Sequence, residues 1–310
     1  MIRTKHIVYN LIKKLYSLLL TVITGLFGIE CAKIIDARIR FGRTLDLKTP
    51  QTLADKVSYI SLFTLPELAV RCTDKWEVRK YVTEKGFADI LIPVFGNAVS
   101  KADDIDFSQL PEKFVLKATH GCKMNYICTD RAAFDEKAVR KELRNWLRTT
   151  YGTFSVEPHY KKLQHRVYCE KLIAPSDELV DYKFFCCNGV PTAILVCSGR
   201  SDSEACRSKL QMKLYDVDWE RIDGLKNTGN HLETAYDFKK PENFAQMLTI
   251  AESLSADFDF VRVDLYNLQG KIYFGELTFT PANGVFESYT DDFIAQMGKR
   301  LTITRKETAV

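Results

Sequence analysis

Arg262 and Asp264 stand in the apolar, strand-like run FDFVRVDLY (258–266), and Glu276 stands in a second such run, KIYFGELTFT (271–280). Strand side chains alternate, so Arg262 and Asp264 share a face with Phe258, Phe260 and Tyr266. The same alternation groups Glu276 with Phe274 and Thr278. Asn267-Leu268-Gln269-Gly270 joins the runs as a hairpin, and one register of that hairpin brings Arg262, Asp264 and Glu276 together. Carboxylates among apolar residues are costly to bury unless a cation joins them. Arg262 does so in a buried ion pair, or the two carboxylates hold magnesium. That ion takes one or two carboxylates and completes its shell with phosphate oxygens and water. Arg262 would then neutralise charge developing on a transferred phosphoryl group or a tetrahedral oxyanion. Asn283, in the Pro-Ala-Asn-Gly turn beyond, is a turn residue or a third oxygen donor.

Two other stretches carry candidate groups. In FVLKATHGCKMNYIC, Lys117 ends a strand and is followed by a turn containing Gly121. A lysine with exposed turn amides suits a phosphate. His120 is a general base or a packed turn residue. In VYCEKLIAPSDELVDYKFFCCNG, the run Glu170-Lys171-Leu172 ends a strand and is expected to leave backbone amides free for a ligand edge. Lys183 sits among apolar neighbours and needs an anion, either a nucleotide phosphate or Asp181. There is no G-x-x-x-x-G-K-[ST] loop and no G-x-G-x-x-G, which disfavours P-loop and Rossmann nucleotide binding.

The elements that must position these groups follow from periodicity and punctuation. Thr52 to Phe63 and Asp74 to Gly86 read as helices, the second with Asp74 as N-cap and Gly86 as stop. Ile90 to Phe95 and Lys113 to Ala118 read as strands, with Tyr126 to Cys128 making a hairpin with the latter. Asp135 to Thr150 is an amphipathic helix with Val139, Leu143, Trp146 and Leu147 inward. Arg166 to Ile173 is a strand. Asp181 to Cys187 and Thr192 to Cys197 flank Asn188-Gly189, a hairpin turn. Asn243 to Ser255 is a helix. Hairpins mixed with helices make the fold class α+β, not a βαβ repeat. The expected units are 1–45, a basic and apolar helical segment; 46–105, helical; 106–165, a small lid; and 166–310, a C-terminal unit with the acidic groups.

The chain has 310 residues, 46% hydrophobic and 27% charged, enough for a large core without staples. Its net charge of +4, from 44 basic and 40 acidic residues, gives no case for a nucleic-acid partner. Nine cysteines, without C-x-x-C or zinc spacing, read as reduced core thiols of a cytoplasmic protein. Residues 15–29, LYSLLLTVITGLFGI, follow Lys13 and Lys14 and are shorter than the roughly 20 residues that span a bilayer. No small-x-small cleavage site follows them. Ile7, Leu11, Leu15, Leu18 and Val22 fall on one helical stripe. The segment therefore rests on an anionic membrane surface, or packs on the body of the protein or a partner.

Taken together, FGRTLDLKTPQTLADKV, TDKWEVRKYVTEKG, PEKFVLKATHGC, YCEKLIAP, DYKFFCCNG and FVRVDLYNLQGKIYFGELTFTPANG resemble the TupA-like ATP-grasp family of teichuronopeptide and other surface-polysaccharide biosynthesis, from about Phe41 to Leu301. The resemblance implies an ATP-grasp fold, two α+β subdomains clasping a nucleotide. It implies that Lys117, with His120 and Gly121 in its turn, contacts ATP phosphates. Glu170, Lys171 and Leu172 form the hinge that meets the adenine, and Lys183 lies near the phosphates. Asp264 and Glu276 hold magnesium, with Arg262 near the reacting centre. The implied activity is an ATP- and magnesium-dependent ligase joining a small or glycan-linked carboxylate to an amine through an acylphosphate. A sugar kinase, a glycosyltransferase-type protein and a non-catalytic nucleotide-binding scaffold are the alternatives. The implied setting is cytoplasmic, with peripheral contact at the membrane or with polysaccharide-assembly proteins. Two departures stand out. His120-Gly121-Cys122-Lys123-Met124 replaces the family's His-Gly-Ser-Gly-Gly, which stiffens the lid. Glu276-Leu277-Thr278 replaces Glu-x-Asn, which weakens a second metal position.

Overall fold

The computed structural model describes residues 2–152, 155–175, 178–199, 210–226, 232–233 and 237–304; for 2–11, 13, 14, 232 and 233 it describes the backbone alone. Ile7 and Leu11 of the expected stripe thus have side chains outside the described set.

Helix α1 (Ile2–Phe41) runs well beyond the apolar stretch that suggested it and breaks at Gly28, where φ 86° and ψ 164° leave the helical region. That left-handed φ suits a residue without Cβ. By length and composition alone its Leu15–Phe41 part is long and apolar enough to cross a membrane. Yet Leu20 and Ala32 are buried in a cluster with Val156, so part of α1 lies along the protein body. Thr52 then opens α2 (Leu53–Tyr59) with a capping box, in which Thr52 and Asp55 satisfy each other's amides. One turn of π-helix (Ile60–Thr64) continues it, and α3 (Glu67–Thr73) follows. The helix expected from Asp74 starts later, as α4 (Val78–Glu84). Asp74 caps a turn instead: its Oδ1 accepts the amides of Trp76 at 2.8 Å and Glu77 at 3.0 Å.

The smaller sheet comprises β1 (Val94–Val99), β2 (Phe114–Ala118), β3 (Asn125–Cys128) and, after α5 (Glu136–Arg148), β4 (Val167–Lys171). Its antiparallel order is β1-β4-β2-β3. It therefore takes strands from either side of the lid boundaries expected at 106 and 166. The strand expected at Ile90 begins only at Val94, behind a 3-10 turn at Ala88–Ile90. Pro93 has no amide for a ladder and separates the two. α5 covers one face with Val139, Leu143 and Trp146, against Phe114, Leu116 and Cys169. Burying each such side chain contributes about 1.5–3 kcal/mol.

The larger sheet contains β5 (Asp181–Cys187), β6 (Val190–Ser198), β7 (Gln211–Tyr215), β8 (Arg221–Ile222) and β9 (Leu232–Glu233). After α6 (Phe244–Ser255) it adds β10 (Phe260–Leu268) and β11 (Lys271–Thr278); α7 (Asp291–Arg300) closes the fold. The order is β11-β10-β5-β6-β7-β8, with β9 parallel to β7. Asn188 and Gly189, at φ 50° and 80°, make the expected hairpin turn. The second hairpin is tighter than expected: Leu268 pairs with Lys271, and only Gln269 and Gly270 turn the chain. All seven residues of β5 are buried because both faces are covered. α6 packs with Phe184, Val261 and Leu265 on one face; α2 and α7 pack with Phe185, Phe260 and Phe286 on the other. The eight described cysteines are free thiols, most of them buried.

Candidate functional site

Three strands carry one row of charge. In register, Lys183 of β5 faces Asp264 of β10, and Asp264 faces Glu276 of β11. Arg262 lies one step along the same face, opposite Thr278. The convergence expected from alternation is present, but two companions are corrected: Phe258, which precedes the strand, packs with Val261 and Val263 in the opposite core, and so does Phe274. A bulge at Gly275 lets Asp264 pair with Glu276 while Leu265 pairs with Phe274. Phe274 therefore joins Val263 and Leu277 in the opposite core instead of sharing Glu276's face. A Cβ on Gly275 would meet the Asp264 carbonyl oxygen at 2.9 Å, so this close approach requires glycine.

Asp264 is 2% exposed and engaged on both oxygens. Arg262 donates Nε to Oδ1 and Nη2 to Oδ2, each at 2.7 Å, and Lys183 donates to Oδ2. Lys183 also pairs with Asp181 at 2.7 Å, so both anions of the buried lysine come from the protein. Burial pushes the Asp264 carboxyl up, against the pull of Arg262 and Lys183. Glu276 is placed differently, with a side chain 34% exposed. It accepts from Thr278 Oγ1 at 2.9 Å and lies 3.5 Å from Arg262 Nη2. Burial works against its charge, but Lys75, Lys183 and Arg262 overcome it and hold the carboxyl at about 2.

Lys75 was not singled out by the sequence. Its Nζ donates to the Gly121 carbonyl at 2.6 Å and reaches Glu276 Oε2 at 4.0 Å, while its amide donates to Thr119 O. One side chain thus ties the turn after β2 to the acidic row. The signal was a lysine between the turn-capping Asp74 and Trp76, which local periodicity does not connect to residue 276. Gly121 leaves little room for a side chain: a Cβ there would approach Tyr151 to 2.9 Å and Met124 closer still, and both side chains would have to shift. A cleft lined by Cys72, Thr73, Lys75, Tyr160, Glu276 and Thr278 opens at this junction.

Other expected residues form a second group or stand apart. Lys117 pairs with Glu170 Oε2 at 2.5 Å; Glu170 Oε1 accepts from Tyr168 and lies 3.9 Å from Arg79. Lys171 is exposed, and its amide is not free for a ligand, because it donates to Pro93 O at 2.9 Å. Leu172, just past the strand, is half-buried. His120 is buried away from the row, bonded to Trp146 O at 3.1 Å and stacked on His165. Burial, helped by His165, lowers its pKa. It is a packed turn residue.

Asn283 is likewise a turn residue, with φ 60°. Its carbonyl and side-chain oxygens receive Lys33 Nζ at 2.6 and 3.2 Å, and its Nδ2 donates to Asp36. Lys33 and Asp36 are fully buried on α1, beside Glu157, which binds Thr280. The sequence reading missed this cluster; Lys33 and Asp36 within the apolar run CAKIIDA were its signal.

Among the described residues, no group of three or more His, Cys, Asp and Glu is arranged for a metal. Magnesium asks less of a protein when phosphates supply the other oxygens. Glu276, partly open beside the Thr278 hydroxyl, fits that demand. Asp264, held by Arg262 on both oxygens, fits it only when that arginine turns aside.

No curated protein matches the chain. In structure it is similar to D-alanine–D-alanine ligase from Helicobacter pylori, at 12% identity and TM-score 0.43, covering 82% of this chain and 70% of that one. It is also similar to the D-alanine–D-alanine ligase from Bacillus anthracis complexed with ATP, at 14% identity and TM-score 0.39, covering 74% of this chain and 65% of that one. D-cycloserine synthetase DcsG is similar at 15% identity and TM-score 0.44, covering 80% and 77%. The sequence pattern of TupA-like ATP-grasp proteins matches residues 57–301, which takes in both sheets, the charged row and the Lys117–Glu170 pair: the chain belongs to the TupA-like ATP-grasp family.

Proposed function

We propose that the protein is an ATP- and magnesium-dependent carboxylate–amine ligase of cell-surface polysaccharide biosynthesis, working on the cytoplasmic side of the membrane. The observation that carries this reading is the junction of the two sheets. There, Glu276, Arg262 and Lys75 meet the turn after β2. Cations around one partly open carboxylate suit a triphosphate tail with its metal.

Glu276, with Asp264 once freed, would hold magnesium, which when bound supplies charge to bridge and neutralise terminal phosphates. Lys75, Lys183 and Arg262 share the negative charge that shifts as the terminal phosphoryl group leaves. Lys117 swings from Glu170 to a phosphate, and the 170–172 segment borders the base. The substrate carboxylate oxygen takes the phosphoryl group, releasing ADP. The amine nitrogen then attacks the acyl carbon of the acylphosphate, loses a proton and expels phosphate, leaving an amide. The substrates are a small or glycan-linked carboxylate and an amine.

Product analysis tests this. Incubation with MgATP, amino acids and nucleotide-linked uronic acids is expected to yield ADP, phosphate and an amide. ADP with a sugar phosphate identifies a kinase and overturns the ligase. Sugar transfer without ADP overturns ATP-driven chemistry altogether.

A further inference from the structure

Among the described residues nine large hydrophobic side chains are exposed, and seven of them lie between Ile12 and Phe27 on α1. Ile12, Leu15, Leu19, Val22 and Leu26 recur at steps of three and four, so they form one stripe about 21 Å long. Leu18 and Leu26 are 61% and 71% exposed. The opposite side of the same helix is occupied: Ser17 and Leu20 are buried, and Tyr16 and Ile23 pack with Val156 and Leu62. The helix is therefore already pinned lengthwise to the protein body. Such a helix cannot stand across a bilayer without losing those contacts.

The charge content of the segment distinguishes the candidate covers. Before Glu30 the sequence holds Arg3, Lys5, Lys13 and Lys14 and no acidic residue. An anionic surface matches both the apolar stripe and this positive charge; a second copy of the chain matches only the stripe. We propose that the outer face of α1 docks the protein on an anionic lipid bilayer. The helix lies in the membrane plane, with Leu15, Leu18, Val22 and Leu26 sunk into the boundary between headgroups and acyl chains. This docking is independent of the ligase reading, because none of its residues belongs to the charged row.

Flotation of the full-length protein with vesicles tests it. Vesicles of phosphatidylcholine mixed with phosphatidylglycerol are expected to carry the protein, and phosphatidylcholine alone to carry much less. Raised salt weakens the binding. The double variant Leu18→Glu/Leu26→Glu is expected to lower the bound fraction about tenfold at an unchanged melting temperature, since both side chains already face solvent. Lys13→Glu/Lys14→Glu is expected to erase the preference for anionic vesicles. Three results would overturn the proposal. One is no binding to anionic vesicles. Another is a concentration-dependent dimer by light scattering that Leu18→Glu/Leu26→Glu abolishes while vesicles stay bare. The third is insertion that resists alkaline extraction and shields the N-terminus from protease, which means a spanning helix.

Discussion

Two polar clusters flank the end of β11, and they treat their charges in different ways. Around Asn283, Lys33 and Asp36 are fully buried and the lysine ammonium has three oxygen acceptors, from Asn283 and Val156. Around Glu276 the partners are looser: Arg262 stands at 3.5 Å, Lys75 at 4.0 Å, and a third of the side chain faces solvent. A saturated buried cluster fixes geometry, because each group lost leaves another unpaired in low dielectric. A carboxylate with open acceptor capacity among cations is suited to exchanging partners. The first cluster joins α1 to the turn beyond β11; the second faces the cleft. Asp264 lies between these extremes, buried like Asp36 but on the same row as Glu276.

That contrast breaks if substitutions in the two clusters act alike. Glu276→Gln is expected to lower ATP turnover at least about 100-fold while shifting unfolding free energy by less than about 1 kcal/mol. Steady-state ADP release and urea denaturation measure the two arms. Turnover at the wild-type level would remove Glu276 from the site. Lys33→Ala is expected to do the reverse, costing about 3 kcal/mol in urea denaturation by leaving the Asn283 oxygens and the Val156 carbonyl unmatched. A loss below about 0.5 kcal/mol would show that the α1 cluster contributes little to stability.

Lys117→Ala is expected to raise the apparent KM for ATP about tenfold with a smaller change in kcat, as removal of a ground-state phosphate contact should. An unchanged KM counts against that contact. The last expected effect appears only under acid. Burial, aided by Lys33, holds His159 at about 3, below its usual 6.5. Between these values the unfolded chain binds the extra proton, so stability rises with pH through the window and is lost as pH falls toward 3. His159→Gln should flatten the melting-temperature profile there. Glu276, held at about 2 but a third exposed, adds a loss in the same direction below about 4.5 that solvent screening keeps within about 1 kcal/mol, and Glu276→Gln separates the two contributions.

Much of this was legible locally. Alternation around Arg262 and Asp264, the Asn188-Gly189 turn and the stripe of Val139, Leu143 and Trp146 all express backbone periodicity, which short sequence carries in full. What stayed hidden depended on distant partners. The Gly275 bulge moves Phe274 to the other face, and a single glycine does not announce it. Lys171 loses its free amide to Pro93, about eighty residues earlier in the chain. Strands β7 to β9 and helix α7 were not read at all; β7 spans only five residues and β8 and β9 two each, too short for a firm period.

By itself the amino-acid sequence determined the α+β class, three hairpins, the candidate acidic residues and the family pattern that orders them, since each is written in neighbouring side chains. Only the tertiary structure decided which anions belong to Lys183, that Asp264 is gripped while Glu276 stays partly open, and that Lys75 and Lys33 reach across the fold. Those outcomes turn on desolvation and on distances of a few ångströms between segments far apart in the chain, and neither quantity exists until the sheets have packed.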